Sequence, residues 1–251
     1  MITLSVVIPT FNESHRLPRT IREIYPYLAE RHPQHEIVVV DDNSPDHTAE
    51  IVRGMTAEIP TVRVMVQPYR LGKGAALRRG CLDARGEHVL FMDADHATPI
   101  QEVEGMFVQL KESGEEVAAG VRTYQEHESR ARRVIGLCAQ LFAHLVVYRK
   151  AVVDSQCGFK LFTRSAVQRV FPFCRVNGGM IDCELFSLLH AMDIPCRYYA
   201  VHWDNKADSR INVLACMIRD PLDMLKIRLR HVMGVYKRPL PESRQPWSKQ
   251  A

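Results

Sequence analysis

The chain has 251 residues, of which 46% are hydrophobic and 25% are charged, and this balance is typical of a globular protein with one large domain or two small ones. It excludes collagen and intrinsic disorder as the overall class. The seven cysteines form no Cys-x-x-Cys pair, which argues against a disulfide framework or a structural zinc site and indicates a reducing cytosol. A strand pattern starts almost at the amino terminus, so we predict no signal peptide.

The charge is distributed unevenly along the chain. Residues 1–120 contain 12 Lys and Arg against 18 Asp and Glu, whereas residues 121–251 contain 21 against 11. A basic second half indicates an anionic partner. Nucleic acid, a membrane surface and a phosphorylated substrate all fit this charge.

The first 120 residues alternate short apolar runs with amphipathic stretches. Runs rich in Val and Ile predict buried strands at 4–9, 36–41, 62–67, 88–92 and 116–121. Helical length and spacing predict helices at 16–31, 46–58, 73–84 and 99–112. This alternation predicts a mainly parallel sheet, whose ligands bind beyond the carboxyl ends of the strands.

Two long helical patterns follow in the second half. The apolar part of 134–148 spans about 15 residues, fewer than the roughly 20 that a membrane span needs, so it is either a core helix or an interfacial helix. The pattern at 212–236 mixes Met, Leu and Ile with basic residues, which suits a helix on an anionic bilayer and also an ordinary amphipathic helix. The Pro-rich tail at 237–251 predicts disorder.

Polar and acidic residues follow three of the predicted strands. The segments are Pro9 to Glu13, Asp41 to Ser44, and Asp93-Ala94-Asp95. Two carboxylates at i and i+2 point the same way from an extended segment and suit Mg²⁺ or Mn²⁺ held together with a diphosphate. An isolated Asp-x-Asp pair is weak, because such acids are often turn or cap residues. Ser44 or Asp46 is likewise a candidate cap for the helix that starts near 47.

Gly72-Lys73-Gly74 directly precedes a predicted helix. Backbone N–H groups at this point, together with the Lys73 cation, would suit a phosphate. The spacing matches neither a P-loop nor the Gly-x-Gly-x-x-Gly fingerprint, so it favours neither ATP hydrolysis nor dinucleotide binding.

Taken together and in their order along the chain, the sequence segments indicate one family. VIPTFNE, VVVDDNSPDHTAE, GKGAALRRG and the strand-borne Asp-Ala-Asp resemble the inverting family 2 glycosyltransferases of the GT-A fold. DSQCGFKLFTR (154–164), IDCELF (181–186) and RDPLDMLKIRLRHVMG (219–234) extend the likeness, which is strongest to dolichyl-phosphate glucosyltransferases, with dolichyl-phosphate mannose synthases as close relatives. The resemblance implies an α/β GT-A domain with a mainly parallel, Rossmann-like sheet and a C-terminal amphipathic helix. We expect it to span 1–236, with a nucleotide-sugar half at 1–120 and an acceptor half at 121–236.

The resemblance also implies what single residues do. It assigns nucleotide contacts to Pro9, Phe11, Glu13 and Asp41. The Asp-x-Asp segment holds the sugar diphosphate and the Mg²⁺ or Mn²⁺ ion, and its residues here are Asp93, Ala94 and Asp95. Arg122 is expected to face the phosphates, and Arg210 to close over the donor.

The implied reaction moves a hexose, with glucose from UDP-glucose favoured, onto a polyprenyl phosphate such as dolichyl or undecaprenyl phosphate. A phosphate monoester is already anionic near pH 7, because its second pKa lies near 6, so the attack needs no strong general base. We expect a basic cluster beside the apolar helix to bind the acceptor phosphate, unless it is only a solvated helix face. Its residues are Arg130, Arg132 and Arg133.

Alternatives stay open at this stage. GDP-mannose is a second candidate donor, since an Asp and an aromatic ring accommodate uracil or guanine. A sugar-hydroxyl acceptor would require a carboxylate base, for which Asp182 is the candidate, although Asp182 and Glu184 equally suit structural ion pairs. A nucleotide-sugar-binding membrane scaffold is the non-enzymatic alternative. Nucleic acid fits least, because no exposed aromatics are interleaved with the basic residues.

Two departures from the pattern of the relatives lie near the expected positions of the sugar and the acceptor. The relatives commonly have Arg-Trp before their F-D-x-E-L segment, whereas this chain has Gly178-Gly179-Met180 there, and the loop at 204–208 lacks their usual Gly before Ser. We expect a peripheral protein on the cytosolic face of an anionic membrane, in contact through 134–148, 212–236 or both.

Overall fold

The computed structural model describes residues 1–123, 139–148, 151–204, 213–241, 245 and 247. The strands are β1 (Leu4–Thr10), β2 (His35–Asp41), β3 (Val62–Val66), β4 (His88–Met92), β5 (Val117–Arg122), β6 (Phe159–Thr163) and β7 (Cys196–Val201). The helices are α1 (Leu17–Arg31), α2 (Thr48–Gly54), α3 (Lys73–Asp83), α4 (Val103–Ser113), α5 (139–146 in its described part), α6 (Arg164–Val170), α7 (Ile181–Ala191) and α8 (Val213–Val232).

The strands form one seven-stranded sheet in the order β3-β2-β1-β4-β6-β5-β7. All neighbouring pairs are parallel except those of β6, which runs antiparallel to both β4 and β5. The predicted α/β class and mainly parallel sheet are therefore confirmed. The antiparallel direction of β6 places its first residue, Phe159, opposite Met92 at the carboxyl end of β4. The loop before β6 thus reaches the edge where ligands bind in such sheets.

Apolar side chains on the two faces of the sheet form two separate cores. One core packs α1 and α4 against the sheet and includes Ile21 and Met106. The other packs α3, α6 and α7 against the opposite face and includes Leu77 and Leu185. Helices on both faces explain why the central strands are continuous apolar runs, since neither face meets water.

A third apolar cluster joins α5 and α8 to α7. Ala143 and Val147 pack with Cys183, Met224 and Ile227. The two helical patterns of the second half thus each bury one face and leave the other outside. In the part of the chain that the structure describes, no helix is long and apolar enough to cross a bilayer.

The beginning of the carboxyl-terminal tail is attached to the body of the protein. The carbonyl oxygen of Arg238 accepts a hydrogen bond from Arg175 Nη2 (2.7 Å), and the Leu240 amide donates to the carbonyl oxygen of Pro172 (2.8 Å). The prediction of a disordered tail is wrong for these residues, because the tail replaces water as the partner of polar groups near α6.

Candidate active site

The loops that follow β1 and β2 are hydrogen-bonded to each other. The Asn12 amide donates to Ser44 Oγ (2.9 Å), and Ser44 donates its hydroxyl and its amide to the Asp41 carboxylate (2.5 and 2.9 Å). Asp41 is almost fully buried. Its carboxylate is therefore held in place at the carboxyl end of β2, and its contact with a nucleotide stays a prediction.

The guanidinium group of Arg70 lies over the aromatic ring of Phe11. The guanidinium carbon of Arg70 lies 3.9 Å from the ring centroid, which is cation–π geometry. The sequence does not predict this contact, because nothing in the spacing of Tyr69-Arg70-Leu71 links Arg70 to Phe11. An aromatic ring with a guanidinium over its face is a surface on which a planar base can stack.

Glu13 is held by an ion pair within its own loop. Its carboxylate accepts hydrogen bonds from Arg16 Nε (2.9 Å) and Nη2 (3.2 Å), and its amide donates to Thr48 Oγ1 (3.0 Å). Thr48 also donates its amide to Asp46 Oδ1 (3.2 Å), so Asp46 accepts one amide at the start of α2, although the N-cap residue of this helix is His47 and neither Ser44 nor Asp46. Pro9, the other residue expected here, is buried in β1 beside Val40 of β2.

The amides around Lys73 already have partners within the protein. Asp42 accepts hydrogen bonds from the amides of Leu71 and Gly72 (2.7 Å each), and the Gly74 amide donates to the carbonyl oxygen of Asn177 (2.7 Å). Burial raises the pKa of Asp42, which these two hydrogen bonds partly offset. The amides of Gly72 and Gly74 therefore have partners within the protein, and contact of this segment with a phosphate stays a prediction for Lys73.

Lys73 faces the acidic pair at the end of β4. Its Nζ lies 2.6 Å from Asp93 Oδ1. Burial disfavours the ammonium, but the charges of Asp93, Asp182 and Asp95 outweigh that effect and hold the pKa of Lys73 above its usual value. The Lys73 ammonium thus lies among acidic side chains at the place where the sequence predicts the diphosphate.

The backbone of the acidic segment is fixed on both sides. The Asp93 amide donates to the carbonyl oxygen of Gly158 (3.2 Å), and the carbonyl oxygen of Ala94 accepts from Thr20 Oγ1 (2.8 Å). Asp95 Oδ1 accepts from the Ala97 amide (3.1 Å). Asp93 and Asp95 line a small cavity together with Thr98, Gly158 and Trp203.

The donor set of this cavity fits a hard divalent cation. Mg²⁺ is commonly held through one or two carboxylates together with substrate phosphates, and Asp93 and Asp95 supply two carboxylates beside open space. Among the residues that the structure describes, no cluster of three or more His, Cys, Asp and Glu side chains could hold a metal by itself. The protein therefore offers part of a coordination shell, and phosphate oxygens and water would supply the rest.

Arg122 forms an ion pair with Asp154, a partner that the sequence does not predict. Its Nε and Nη2 donate to the Asp154 carboxylate (2.8 and 2.9 Å), and its guanidinium lies 5.4 Å from the Trp203 ring centroid. Burial alone would raise the pKa of Asp154, but Arg122 lowers it below the usual value. Contact between Arg122 and phosphates stays a prediction, and the ion pair fixes where this cation sits.

Asp182 forms a buried ion pair with Lys160. Lys160 Nζ lies 2.6 Å from Asp182 Oδ1 and also donates to the carbonyl oxygens of Ser155 (3.1 Å) and Cys157 (2.6 Å). The two side chains are only 1% and 2% exposed. Of the two interpretations left open for Asp182, the structure therefore favours the ion pair over a catalytic base. Through its two hydrogen bonds to backbone carbonyl oxygens, Lys160 also holds the loop at residues 155–157 in place.

Glu184 is also structural. It is fully buried, accepts from the amides of Arg175 and Val176 (2.8 Å each) and from the Tyr236 hydroxyl (2.5 Å), and lies 3.6 Å from Arg230. This carboxylate joins α7 to the segment after α6 and to the residues after α8.

Cys157 has the properties expected of a small core residue. It is fully buried, and burial raises the pKa of its thiol to about 11, so it is not a nucleophile at neutral pH. The three expected ligands of the acceptor phosphate, Arg130, Arg132 and Arg133, lie outside the described residues, and so does Arg210, which was expected to close over the donor.

A mainly parallel sheet with an acidic pair, a facing lysine and an aromatic–guanidinium pair at the carboxyl ends of its strands has these groups at the edge where α/β enzymes bind their ligands. The chain belongs to glycosyl transferase family 2, whose family model matches residues 5–171. The predicted hexosyltransferase class is thereby confirmed.

Curated relatives are similar over nearly the whole chain. A dolichyl-phosphate beta-glucosyltransferase of Trichomonas vaginalis is 33% identical over 244 residues, which cover 92% of this chain and 72% of the relative. The human dolichyl-phosphate beta-glucosyltransferase is 34% identical, with 93% and 77% covered. That of Saccharomyces cerevisiae is 30% identical, with 94% and 77% covered.

Solved structures share the fold. Mannosyl-3-phosphoglycerate synthase from Rubrobacter xylanophilus superposes with a TM-score of 0.69 at 20% identity, covering 96% of this chain and 79% of that one. Glucosyl-3-phosphoglycerate synthase from Mycobacterium tuberculosis, in complex with Mn²⁺, UDP and glucosyl-3-phosphoglycerate, has a TM-score of 0.67 at 21% identity, with 90% and 80% covered. The predicted GT-A fold is confirmed.

Proposed function

We propose that this protein transfers glucose from UDP-glucose to a polyprenyl phosphate such as dolichyl phosphate, with inversion at the anomeric carbon and with Mg²⁺ or Mn²⁺ as cofactor. The observation that carries the proposal is the meeting of Asp93, Asp95 and Lys73 at the carboxyl end of β4. The chain that holds this site is similar, over more than 90% of its length, to dolichyl-phosphate beta-glucosyltransferases.

The donor would bind across the carboxyl ends of β1, β2 and β4. Phe11 and Arg70 offer a stacking surface for the base, and Asp41 offers a fixed carboxylate next to it. The diphosphate would lie toward Lys73 and the acidic pair, so that base and phosphates occupy neighbouring strand ends. Mn²⁺ or Mg²⁺ held by Asp93 and Asp95 supplies positive charge to the leaving diphosphate.

The acceptor phosphate attacks the anomeric carbon, and the bond from that carbon to the diphosphate oxygen breaks. No proton has to be removed, because the phosphate is already anionic at neutral pH. The chain therefore needs cations and a fixed geometry more than a base. The burial of Asp182 in an ion pair with Lys160 agrees with this chemistry and weighs against a neutral sugar hydroxyl as acceptor.

A lipid acceptor requires contact with a membrane, and α8 offers a surface for it. Its outward side is an apolar stripe, with exposed residues Leu222, Leu225, Leu229, Val232 and Met233. Exposed Lys226 and Arg228 flank this stripe on either side at helical spacing. On the packed neighbour α5, Leu141 and Leu145 are also exposed. An apolar stripe between basic flanks is the pattern of a helix that lies in an anionic lipid interface, and we assign that interface to the cytosolic face.

Turnover with labelled donors tests the proposal. Purified protein, short polyprenyl phosphate and Mn²⁺ or Mg²⁺ would be incubated with radiolabelled UDP-glucose or GDP-mannose, and the label extracted into organic solvent would be counted. We expect lipid-phase label from UDP-glucose alone, and its loss when the metal is chelated. Phosphoglycerate and a free sugar would replace the lipid as matched alternative acceptors.

Other outcomes would redirect the assignment. Label from GDP-mannose would change the sugar nucleotide and keep the reaction. Donor hydrolysis without a lipid product would leave the donor site and remove the acceptor. Sugar-nucleotide binding without any turnover would support a scaffold instead of an enzyme.

A further inference from the structure

We infer that Lys73 is an exchangeable counter-ion, which pairs with Asp93 while no metal is bound and moves to the substrate phosphates once a divalent cation takes its place at the acidic pair. The identity of those phosphates rests on the proposed function. The competition between Lys73 and the cation rests only on the geometry of this cavity.

The first step of the argument is that Lys73 occupies a carboxylate that a cation would need. Its Nζ lies 2.6 Å from Asp93 Oδ1, close enough for a charge-assisted hydrogen bond. A divalent ion bound by Asp93 and Asp95 would therefore face an ammonium group at the same oxygen. Two positive charges at that distance repel each other, and Lys73 must leave for the ion to bind fully.

The second step is that only the Lys73 side chain can move. The amide of Gly72 is bound by Asp42, and the amide of Gly74 is bound by Asn177. A Cβ at Gly74 would clash with the backbone of 176–178, so the helix start is packed directly against that segment. The Lys73 side chain is one-third exposed and has four rotatable carbons, so the ammonium can change position without any change in the fold.

The third step concerns charge. Asp182 is already neutralised by Lys160, so Lys73 is the cation that balances the Asp93 and Asp95 carboxylates in the part of the site that the structure describes. When a divalent ion supplies that charge, the ammonium is released at the edge of the same cavity. A diphosphate or a phosphate monoester brought there by the substrate is the nearest strong acceptor for its three N–H groups.

A purely structural role for Lys73 would have a different consequence when the residue is replaced. Loss of a structural strut would disorder the acidic pair and weaken the binding of both metal and nucleotide. Loss of an exchangeable counter-ion has opposite effects on the two ligands, because the carboxylates lose a competitor while the phosphates lose a partner.

The test measures both affinities in Lys73→Met, which keeps the length of the side chain and removes its charge. Mn²⁺ binding to nucleotide-free protein would be followed by electron paramagnetic resonance of the free ion, and UDP binding at saturating Mn²⁺ by titration calorimetry. We expect Mn²⁺ to bind roughly fivefold more tightly and UDP roughly tenfold more weakly than in the wild type, as for one charge-assisted contact in each case.

Two further variants serve as controls. Lys73→Arg keeps the charge and should leave Mn²⁺ affinity near the wild-type value, and Lys111→Met removes an exposed lysine on α4 and should change neither affinity. Unchanged or weaker Mn²⁺ binding by a folded Lys73→Met protein overturns the inference and leaves the proposed function standing. A wild-type protein that binds Mn²⁺ neither with nor without UDP overturns both.

Discussion

The amide of Asp93 donates a hydrogen bond to the carbonyl oxygen of Gly158, so the acidic segment after β4 is joined to the residue that precedes β6. A Cβ at Gly158 would overlap the Asp93 carboxylate itself. Glycine at this position therefore lets two strand ends approach closely enough to set the direction of a side chain that faces the cavity.

Gly158→Ala should inactivate the protein while it stays folded. The new methyl group must push the Asp93 carboxylate aside, which changes the geometry of the acidic pair. We expect at least about a hundredfold loss in kcat/KM, in line with the cost of misplacing a group in an active site by about 1 Å. Steady-state turnover and a thermal melt would be measured together. Gly54→Ala is the matched control, since a Cβ there meets no atom within 4 Å, and equal losses in both variants would contradict the prediction.

Asp95→Ala should abolish metal-dependent turnover without unfolding the protein. Asp95 is partly exposed, so its removal costs little stability, but it takes away one of two carboxylates in the cavity. Turnover over a range of Mn²⁺ concentrations, together with a circular dichroism spectrum, would check this. Full activity in the variant would remove the assignment of Asp95 as a metal ligand.

Lys160→Met should destabilise the protein strongly, because it leaves the Asp182 carboxylate buried without its partner. Breaking a buried ion pair from one side costs about 3–5 kcal/mol in the free energy of unfolding. Replacing both residues, in Lys160→Met with Asp182→Leu, should recover a large part of that loss. Urea unfolding of the two single variants and the double variant forms the cycle, and purely additive losses would show that the two residues are not coupled.

The Arg122–Asp154 ion pair should make stability depend on pH in the acidic range. Arg122 lowers the pKa of Asp154 in the folded protein below its unfolded value of about 3.9, so the folded state favours the ionised carboxylate. This contribution is complete above the unfolded pKa and is lost as the pH falls through the folded pKa. The difference in unfolding free energy between wild type and Asp154→Asn should therefore shrink below about pH 4. A difference that stays constant from pH 7 to pH 3 would show that the pair adds no pH-dependent stability.

Polar substitutions on the outward side of α8 should weaken membrane binding and leave the fold intact. Leu225 and Leu229 are about half exposed, so changing both to Gln removes apolar surface from the outward side of α8. Cosedimentation with vesicles that contain anionic lipid would measure binding. Val108→Gln, at a similarly exposed site on α4, is the control, and equal binding by all three proteins would move the lipid contact elsewhere.

The first half of the fold could be predicted because its signals are local. Runs such as EIVVVD are buried on both faces, and the helices between them carry their own apolar periodicity, so the strands from β1 to β5 fell within a residue or two of their expected positions. The acidic segment followed from the same pattern, since it directly continues a buried strand.

The rest depends on partners that lie far apart in the sequence. Asn177 takes the amide that Gly74 was expected to offer to a phosphate, and Asp154 takes the guanidinium of Arg122. Neither pairing has a spacing that a single sequence shows. Strand β6 was not predicted for the same reason, because the short run FKLFT includes Lys160 and Thr163 and shows no pattern from which its partners β4 and β5 could be read.

The position of β6 also determines the order in which the protein can assemble during synthesis. This strand lies between β4 and β5, yet it leaves the ribosome after both of them. A nascent chain that ends after β5 already contains β4 and its acidic segment. It still lacks β6, which pairs with β4, and Gly158, which orients Asp93. Until residue 163 has emerged, β4 and β5 must leave a gap one strand wide between them, or must separate if they have already paired. The edge of the sheet that carries the acidic segment is thus completed late in biogenesis, although most of its residues are made early.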